Sequence, residues 1–182
     1  MDYKLDKLLT EAGAPGMPGT STMTAISGGR SFLVAGGSGM TGKALRLDLR
    51  KRYPGCRITL LSGGSLPLEP EPGEAVIRMS DAEASRGTVE ADAVFALAGE
   101  PVNSRRITRG SLAANAHGRV GLMMKAAALL RAPAPFFAAS AIVSDGSRIL
   151  REFRDSLEAE ARKALSAEGI SPVFVRFPLI LG

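Results

Sequence analysis

Short apolar runs alternate with longer amphipathic stretches along the chain from residue 31 onward. Apolar runs of this length are typical of strands that are buried on both faces of a sheet. Apolar positions that recur every three or four residues are typical of helices that pack on one side. The pattern predicts six strands, at 32–34, 57–61, 75–79, 93–98, 136–139 and 173–177.

Helices are predicted between most of these strands. They extend from a glycine cluster at 36–42 to about Arg52 and then cover 82–86, 111–130 and 149–165, the last capped by Gly169. Strands that alternate with helices predict an α/β fold, here a doubly wound parallel sheet in three α/β/α layers. Its ligand cleft should lie at the carboxyl ends of the strands.

The first residues differ in composition from the rest of the chain. Gly, Pro, Ser, Thr and Ala dominate from Gly13 to Gly29, which is typical of a flexible segment. The remaining residues are numerous and apolar enough to bury one full hydrophobic core. We therefore expect a flexible N-terminal lead-in at 1–29 and one folded domain at 30–182.

The glycine cluster lies between the first predicted strand and the first predicted helix, and its spacing suits one kind of ligand. A bound dinucleotide needs one glycine for the sharp turn out of the strand and a second where backbone amides approach the pyrophosphate. It needs a third where the helix packs closely on the sheet. The positive helix N-terminus then attracts the phosphates. The predicted pyrophosphate-binding residues are Gly36, Gly37, Ser38, Gly39, Met40, Thr41 and Gly42.

Charge and composition argue against several other classes of protein. The net charge is +5, but the basic residues are scattered among acids and aromatic residues make up only 5%, so we expect no nucleic-acid partner. No apolar stretch approaches the roughly 20 residues of a membrane span and no secretion signal is evident, so we expect a cytoplasmic protein without a membrane partner. Cys56 and His117 are the only residues of their types, which argues against a disulfide, a histidine metal site or a Ser-His-Asp triad.

Five segments, in order along the chain, resemble one enzyme family. Ala35–Gly42 (AGGSGMTG) resembles the GGxGxxG loop of the extended and atypical short-chain dehydrogenases/reductases. Asp92–Val102 (DAVFALAGEPV) resembles a segment of their epimerase-like branch, often labelled the NAD-dependent epimerase/dehydratase family. Asn115–Ala127, Phe137–Ala141 and Val175–Gly182 are similar to a helix and two strand ends of the same enzymes. The resemblance implies a Rossmann-like nucleotide-binding domain.

The resemblance also implies roles for residues beyond the glycine loop. Leu97, Ala98 and Gly99 match a segment that passes beneath the ribose on the nicotinamide side of the cofactor. Ser140 matches the position of the family's active-site serine, and it is the candidate catalytic residue.

Two features depart from the family pattern. Catalytically competent branches use a Tyr-x-x-x-Lys pair, whereas here Lys163 is preceded by Ala159, and the only tyrosines are Tyr3 and Tyr53. The chain also stops at Gly182, where the family's enzymes continue into a smaller substrate-binding region. We therefore expect that region to be absent and any proton relay to use another group.

The end of the second predicted strand bears on the choice of cofactor. NAD-binding proteins usually place an acid there to bind the ribose hydroxyl, but no acid occurs between Asp48 and Glu69. This favours NADP, with NAD as the alternative. Lys43 either adds positive charge near this position or is a solvated helix residue. On the adenine side, the predicted contacts are Ser62 and Asp81, and a helix N-cap is the alternative role of Asp81.

Two functions remain open. The first is an NAD(P)-dependent oxidoreductase or epimerase-like enzyme that acts on a small carbonyl or sugar-nucleotide substrate. The second is a non-catalytic dinucleotide-binding sensor or assembly protein that acts through a protein partner or as a homo-oligomer. The missing tyrosine favours the second, and the glycine loop favours dinucleotide binding in both. A chain that is one portion of a longer enzyme is a further alternative.

Overall fold

Six parallel strands form one sheet in the computed structural model, which describes residues 29–63, 68–99, 107–142 and 147–178. The order across the sheet is β3-β2-β1-β4-β5-β6, so the first strand lies at the centre. The strands are β1 (Ser31–Ala35), β2 (Arg57–Ser62), β3 (Glu74–Arg78), β4 (Ala93–Ala96), β5 (Phe136–Ile142) and β6 (Pro172–Pro178). All six predicted strands are confirmed. The predicted lead-in at 1–29 lies almost entirely outside the described residues.

Within the described ranges, three helices connect the strands: α1 (Met40–Arg52), α2 (Arg109–Leu129) and α3 (Arg148–Ser166). Each was predicted from its apolar spacing. The predicted cap of α3 is also confirmed, because Gly169 has a φ of +71° and the amide of Ile170 donates to the carbonyl oxygen of Leu165 at 3.0 Å.

The short helix predicted at 82–86 does not form, and that prediction is wrong. A series of turns runs from Met79 to Gly87 instead. Only Ala82 is buried between 82 and 86, so the segment has no apolar face that could hold a helix against the sheet. Gly87, with a φ of +67°, then leaves the helical region of backbone conformation.

Side chains alternate between the two faces of the sheet, and each face has its own core. Phe32 and Val34 of β1 pack with Leu49 of α1 on one face. Leu33 and Ala35 point to the opposite face, where they belong to the core that includes α2 and α3. The three-layer α/β/α architecture follows from this alternation, since a period of two gives every central strand two buried sides.

Candidate functional site

The candidate site lies at the carboxyl edge of the sheet, between β1 and β4. β1 leads into α1 on one face, whereas the chain that follows β4 leads to α2 on the other. The connections therefore diverge here, and a crevice between diverging connections is where doubly wound sheets bind ligands. The glycine cluster and residues 97–99 both lie at this edge.

The protein's own packing requires glycine at both ends of the cluster. Gly36 has a φ of +93°, and a Cβ placed there would lie 2.6 Å from the backbone nitrogen of Ala98. A Cβ on Gly42 would lie 2.1 Å from the carbonyl oxygen of Gly36. These contacts match the sharp turn and the close helix packing that the spacing predicted for the first and third glycines.

Gly39 differs from its neighbours because the polypeptide does not need a glycine there. Its φ is −72°, which any residue adopts, and a Cβ would meet nothing among the described residues closer than the carbonyl oxygen of Gly36 at 3.6 Å. Gly39 is the N-cap of α1, and the amide of Lys43 donates to its carbonyl oxygen at 2.9 Å. The space beside Gly39 is thus left open at the positive end of a helix.

The first turn of α1 presents its backbone at this edge. The amides of Met40, Thr41 and Gly42 precede the first bond within the helix, from the Lys43 amide, and no acidic residue lies in this turn. Met40 and Thr41 are exposed, as is Lys43. Ser38, in the turn itself, is half-buried. Amides at a helix start that no bond within the helix uses suit an anionic ligand.

Arg46 supports the glycine turn from below, and this role was not predicted from the sequence. Its Nη1 donates to the carbonyl oxygen of Gly37 at 3.2 Å, and its Nε donates to Glu74 of β3 at 2.8 Å. A Cβ on Gly37 would lie 2.8 Å from the side chain of Leu60 and 3.3 Å from that of Arg46. One signal was present in the sequence, since Arg46 has helical spacing from both Gly42 and Leu49 on the buried face of α1.

Glu74 is a buried carboxylate held by two arginines. Its side chain has no exposed surface, and Arg50 also contacts it, with a distance of 2.9 Å between Nη2 and Oε1. Burial alone would raise the pKa of Glu74, but the hydrogen bonds from Arg46 and from the amide of Glu71, together with the charges of Arg46 and Arg50, outweigh it and lower the pKa. Glu74 therefore stays ionised and fixes Arg46 beneath the turn.

The predicted adenine-side contacts lie near the carboxyl ends of β2 and β3. Ser62 is half-buried at the end of β2, and its carbonyl oxygen accepts the amide of Met79 at 2.8 Å. Asp81 is exposed and accepts a hydrogen bond from the hydroxyl of Ser80 at 2.8 Å. Since no helix follows Asp81, its alternative role as a helix cap is wrong. Lys43 lines a groove of about 400 Å³ beside α1, together with Glu69 and other residues.

Ser140 and Glu158 are buried and form a polar cluster with Arg176, whose side chain is half exposed. The hydroxyl of Ser140 donates to Oε1 of Glu158 at 2.7 Å, and Arg176, its register partner in β6, donates to both oxygens of the same carboxylate at 2.8 and 2.9 Å. These bonds, first those from Arg176 and then the one from Ser140, lower the pKa of Glu158 against the opposing effect of burial. Ser140 was a candidate from the sequence, but neither of its partners was.

The Tyr-x-x-x-Lys position is on the outer surface of α3. Ala159 and Lys163 are both exposed, whereas Glu158, immediately before Ala159, is buried. Tyr53 follows α1 and packs on Phe32 at 5.4 Å between ring centroids, near the amino ends of the strands. Tyr3 lies outside the described residues. Among the described residues, no phenol therefore lies at the carboxyl edge.

Residues 97–99 leave β4 directly behind the glycine turn. The amides of Leu97 and Ala98 both donate to the carbonyl oxygen of Ala35, at 2.8 and 3.0 Å. Gly99 is exposed and lies against the guanidinium of Arg119, a residue of α2 that was not a candidate from the sequence. The Nε of Arg119 donates to Oδ1 of Asn115 at 2.8 Å.

Two classes of site are not found in the part of the chain that the structure describes. There is no group of three or more histidine, cysteine or carboxylate side chains that could hold a metal ion. None of the helices described is both long and apolar enough to cross a membrane.

The chain is similar to known proteins in structure but not in sequence. Neither a protein-family model nor a curated protein matches the chain. A yeast methylglyoxal/isovaleraldehyde reductase solved with NADPH superposes with a TM-score of 0.62 at 10% identity, over 81% of this chain and 57% of that one. UDP-glucose 4-epimerase from Thermotoga maritima, solved with UDP-glucose, gives 0.57 at 16% identity, over 80% and 54%.

A third structure is closer in length to this chain than the reductase and the epimerase are. An oxidoreductase of the short-chain dehydrogenase/reductase family from Burkholderia thailandensis superposes with a TM-score of 0.56 at 14% identity, over 82% of this chain and 69% of that one. The chain spans little more than half the length of the reductase and the epimerase above. The chain thus has the Rossmann-like fold of the nucleotide-binding domain in short-chain dehydrogenase/reductase and epimerase structures.

Proposed function

We propose that the chain binds a nicotinamide dinucleotide, with the pyrophosphate over residues 36–42 at the start of α1. The observation that carries this proposal is the open space at Gly39, where the protein itself does not need a glycine. A ligand that approaches the backbone closely would explain why a glycine occupies this position. The yeast reductase, which was solved in complex with NADPH, supports this class of ligand.

We place the adenine half of the ligand near Ser62 and Asp81 and the nicotinamide half above Leu97, Ala98 and Gly99. NADP is favoured over NAD, because the described end of β2 carries no acid that would repel a 2′-phosphate. Ser62 would bind the ribose or its phosphate through its hydroxyl. The pyrophosphate contacts would come mainly from backbone amides of the glycine turn.

For chemistry, we propose hydride transfer to or from a small carbonyl or sugar-nucleotide substrate, with Ser140 as the residue that contacts the reacting oxygen. The hydroxyl proton of Ser140 points to Glu158, so the serine oxygen would accept a hydrogen bond from the hydroxyl of the reduced substrate, and bound water would supply or take up the proton that accompanies the hydride. Glu158 itself is a weak base, because its pKa is lowered.

A non-catalytic dinucleotide-binding protein is the second candidate function. It is favoured by the exposure of Ala159 and Lys163, since no side chain at that position replaces the tyrosine of the family pattern. Ser140→Ala separates the two functions in an assay of NADPH oxidation against small carbonyl compounds. Loss of turnover with retained NADPH binding supports the catalytic role of Ser140, and unchanged turnover rejects it. A wild-type protein that binds NADPH without oxidising it supports the second function.

The experiment that tests dinucleotide binding is calorimetric titration of the chain, Gly39→Ala and Gly39→Val with NADPH and NADH. We expect micromolar binding by the wild type and no detectable binding by Gly39→Val. Gly39→Ala should bind at least about tenfold more weakly. Gly118→Ala is the matched control, because a Cβ there meets nothing among the described residues within 4 Å. Unchanged affinity in a folded Gly39→Val would reject the pyrophosphate site.

A further inference from the structure

A guanidinium lies directly against the end of β4, inside the candidate site. A Cβ built on Gly99 would lie 2.4 Å from Cζ of Arg119 and 2.8 Å from its Nη1. Only a residue without a side chain leaves room for the guanidinium at this place. The guanidinium of Arg119, from α2, therefore places a positive charge at the carboxyl edge of the sheet.

The charge lies close to the glycine turn but approaches from the opposite face. Ala98, next to Gly99, packs against Gly36, and its amide donates to the carbonyl oxygen of Ala35. α1 covers one face of the sheet, and α2, which carries Arg119, covers the other. A ligand that crosses the edge between β1 and β4 would therefore have the N-terminus of α1 on one side and Arg119 on the other.

Arg119 is held in place and half-buried. The bond from its Nε to Oδ1 of Asn115, one turn earlier on α2, is 2.8 Å long and orients the planar group. Burial lowers the pKa of Arg119, although an arginine remains charged at neutral pH. A cation that has lost part of its hydration gains more from an anionic partner than a fully solvated one does.

We propose that Arg119 binds an anionic oxygen of the ligand at this edge, either a phosphate oxygen of the dinucleotide or a carboxylate or phosphate of a bound substrate. The inference rests on the proposed dinucleotide site and adds a second anion-binding element to it. A guanidinium fork matches phosphate and carboxylate oxygens in pairs, which an exposed lysine does less well. Gly99 belongs to the same element, because its missing side chain admits the fork.

The test measures Arg119→Met and Arg119→Lys by calorimetry with three probes: NADPH, 2′-phospho-ADP-ribose and 2′,5′-ADP. The second probe lacks nicotinamide, and the third also lacks the second phosphate of the pyrophosphate and its ribose. If Arg119 binds the cofactor, Arg119→Met should lower the affinity for NADPH and for 2′-phospho-ADP-ribose by about 10- to 100-fold. The affinity for 2′,5′-ADP should change little. Lys125→Met, at an exposed position on the same helix, is the matched control and should bind like wild type.

The second arm titrates the NADPH-loaded protein with inorganic phosphate and with acetate. If Arg119 binds a substrate anion, Arg119→Met should keep its NADPH affinity and lose the binding of phosphate or acetate that the wild type shows. Arg119→Lys retains the positive charge but not the planar guanidinium. It is the decisive variant if Arg119→Met does not fold, and it should lose less affinity than Arg119→Met for whichever probe Arg119 binds.

Folded Arg119 variants that match wild type with every probe in both arms would overturn the inference. A wild-type chain that binds no NADPH refutes instead the proposed function on which the inference rests.

Discussion

The guanidinium of Arg46 lies beneath the glycine turn and donates to the carbonyl oxygen of Gly37 at 3.2 Å. The same side chain donates to Glu74 at 2.8 Å, so one buried group connects α1, the turn and β3. A turn that must place backbone amides around a ligand benefits from a rigid support, because binding then requires less ordering of the backbone.

Arg46→Met should destabilise the fold by about 3 kcal/mol, because it leaves the Glu74 carboxylate buried with only Arg50 as a charged partner. Urea unfolding of the ligand-free chain measures this. Arg52→Met is the control, since the exposed pair of Arg52 with Asp48 is worth at most about 1 kcal/mol. The double variant Arg46→Met with Glu74→Leu should recover most of the loss. Equal stability of Arg46→Met and wild type would contradict the supporting role.

Stability should fall in acid, partly because of Glu158. Its pKa is lower in the folded protein than in the unfolded chain, where a glutamate has a pKa of about 4.3. The contribution of the cluster is therefore complete above the unfolded pKa and is lost as the pH falls through the folded pKa.

The measurement is the free energy of unfolding of wild type and Glu158→Gln from pH 7 to pH 3. The difference between the two should be largest at neutral pH and shrink below about pH 4. Glu168→Gln, at an exposed position just after the same helix, is the control. A difference that stays constant over this range would show that the Glu158 charge is not what the cluster needs.

The three glycines of the cluster should differ in their effects on stability in the absence of ligand. Gly42→Ala places a Cβ against a backbone oxygen and should cost about 1–3 kcal/mol. Gly36→Ala adds the strain of a positive φ and should cost at least as much. Gly39→Ala should cost no more than about 1 kcal/mol, because its backbone is unstrained and alanine is only a poorer helix N-cap than glycine. Thermal unfolding measures all three, and a large loss for Gly39→Ala would mean that this glycine serves the fold.

Ser62→Asp should reverse the preference between the two dinucleotides. A carboxylate at the end of β2 repels a 2′-phosphate and binds a ribose hydroxyl, so NADPH affinity should fall by at least about tenfold and NADH affinity should not. Ser62→Asn controls for side-chain size without charge. Calorimetric titrations measure both. NADPH binding that is as tight in Ser62→Asp as in wild type would place the ribose elsewhere.

Local patterns determined most of the architecture in advance. Buried strands must be apolar on both faces and helices on one, so the six strands and three helices of the described residues could be located from the spacing of apolar residues alone. The glycine spacing also predicted the turn at Gly36 and the close packing at Gly42, because both depend only on residues within one seven-residue segment. The prediction of a helix at 82–86 failed because helix propensity without an apolar face does not hold a segment against a sheet.

Only the tertiary structure decided which polar side chains meet. Arg46 and Glu74 are 28 residues apart, and Ser140 and Arg176 lie on opposite sides of Glu158 in sequence, 18 residues away in each direction. Arg119 lies against Gly99 because α2 packs on one face of the sheet, and Gly99 follows directly after β4, which contributes side chains to that same face. Apolar burial follows a period that one sequence displays, whereas the partner of a buried charge depends on which elements become neighbours when the sheet assembles.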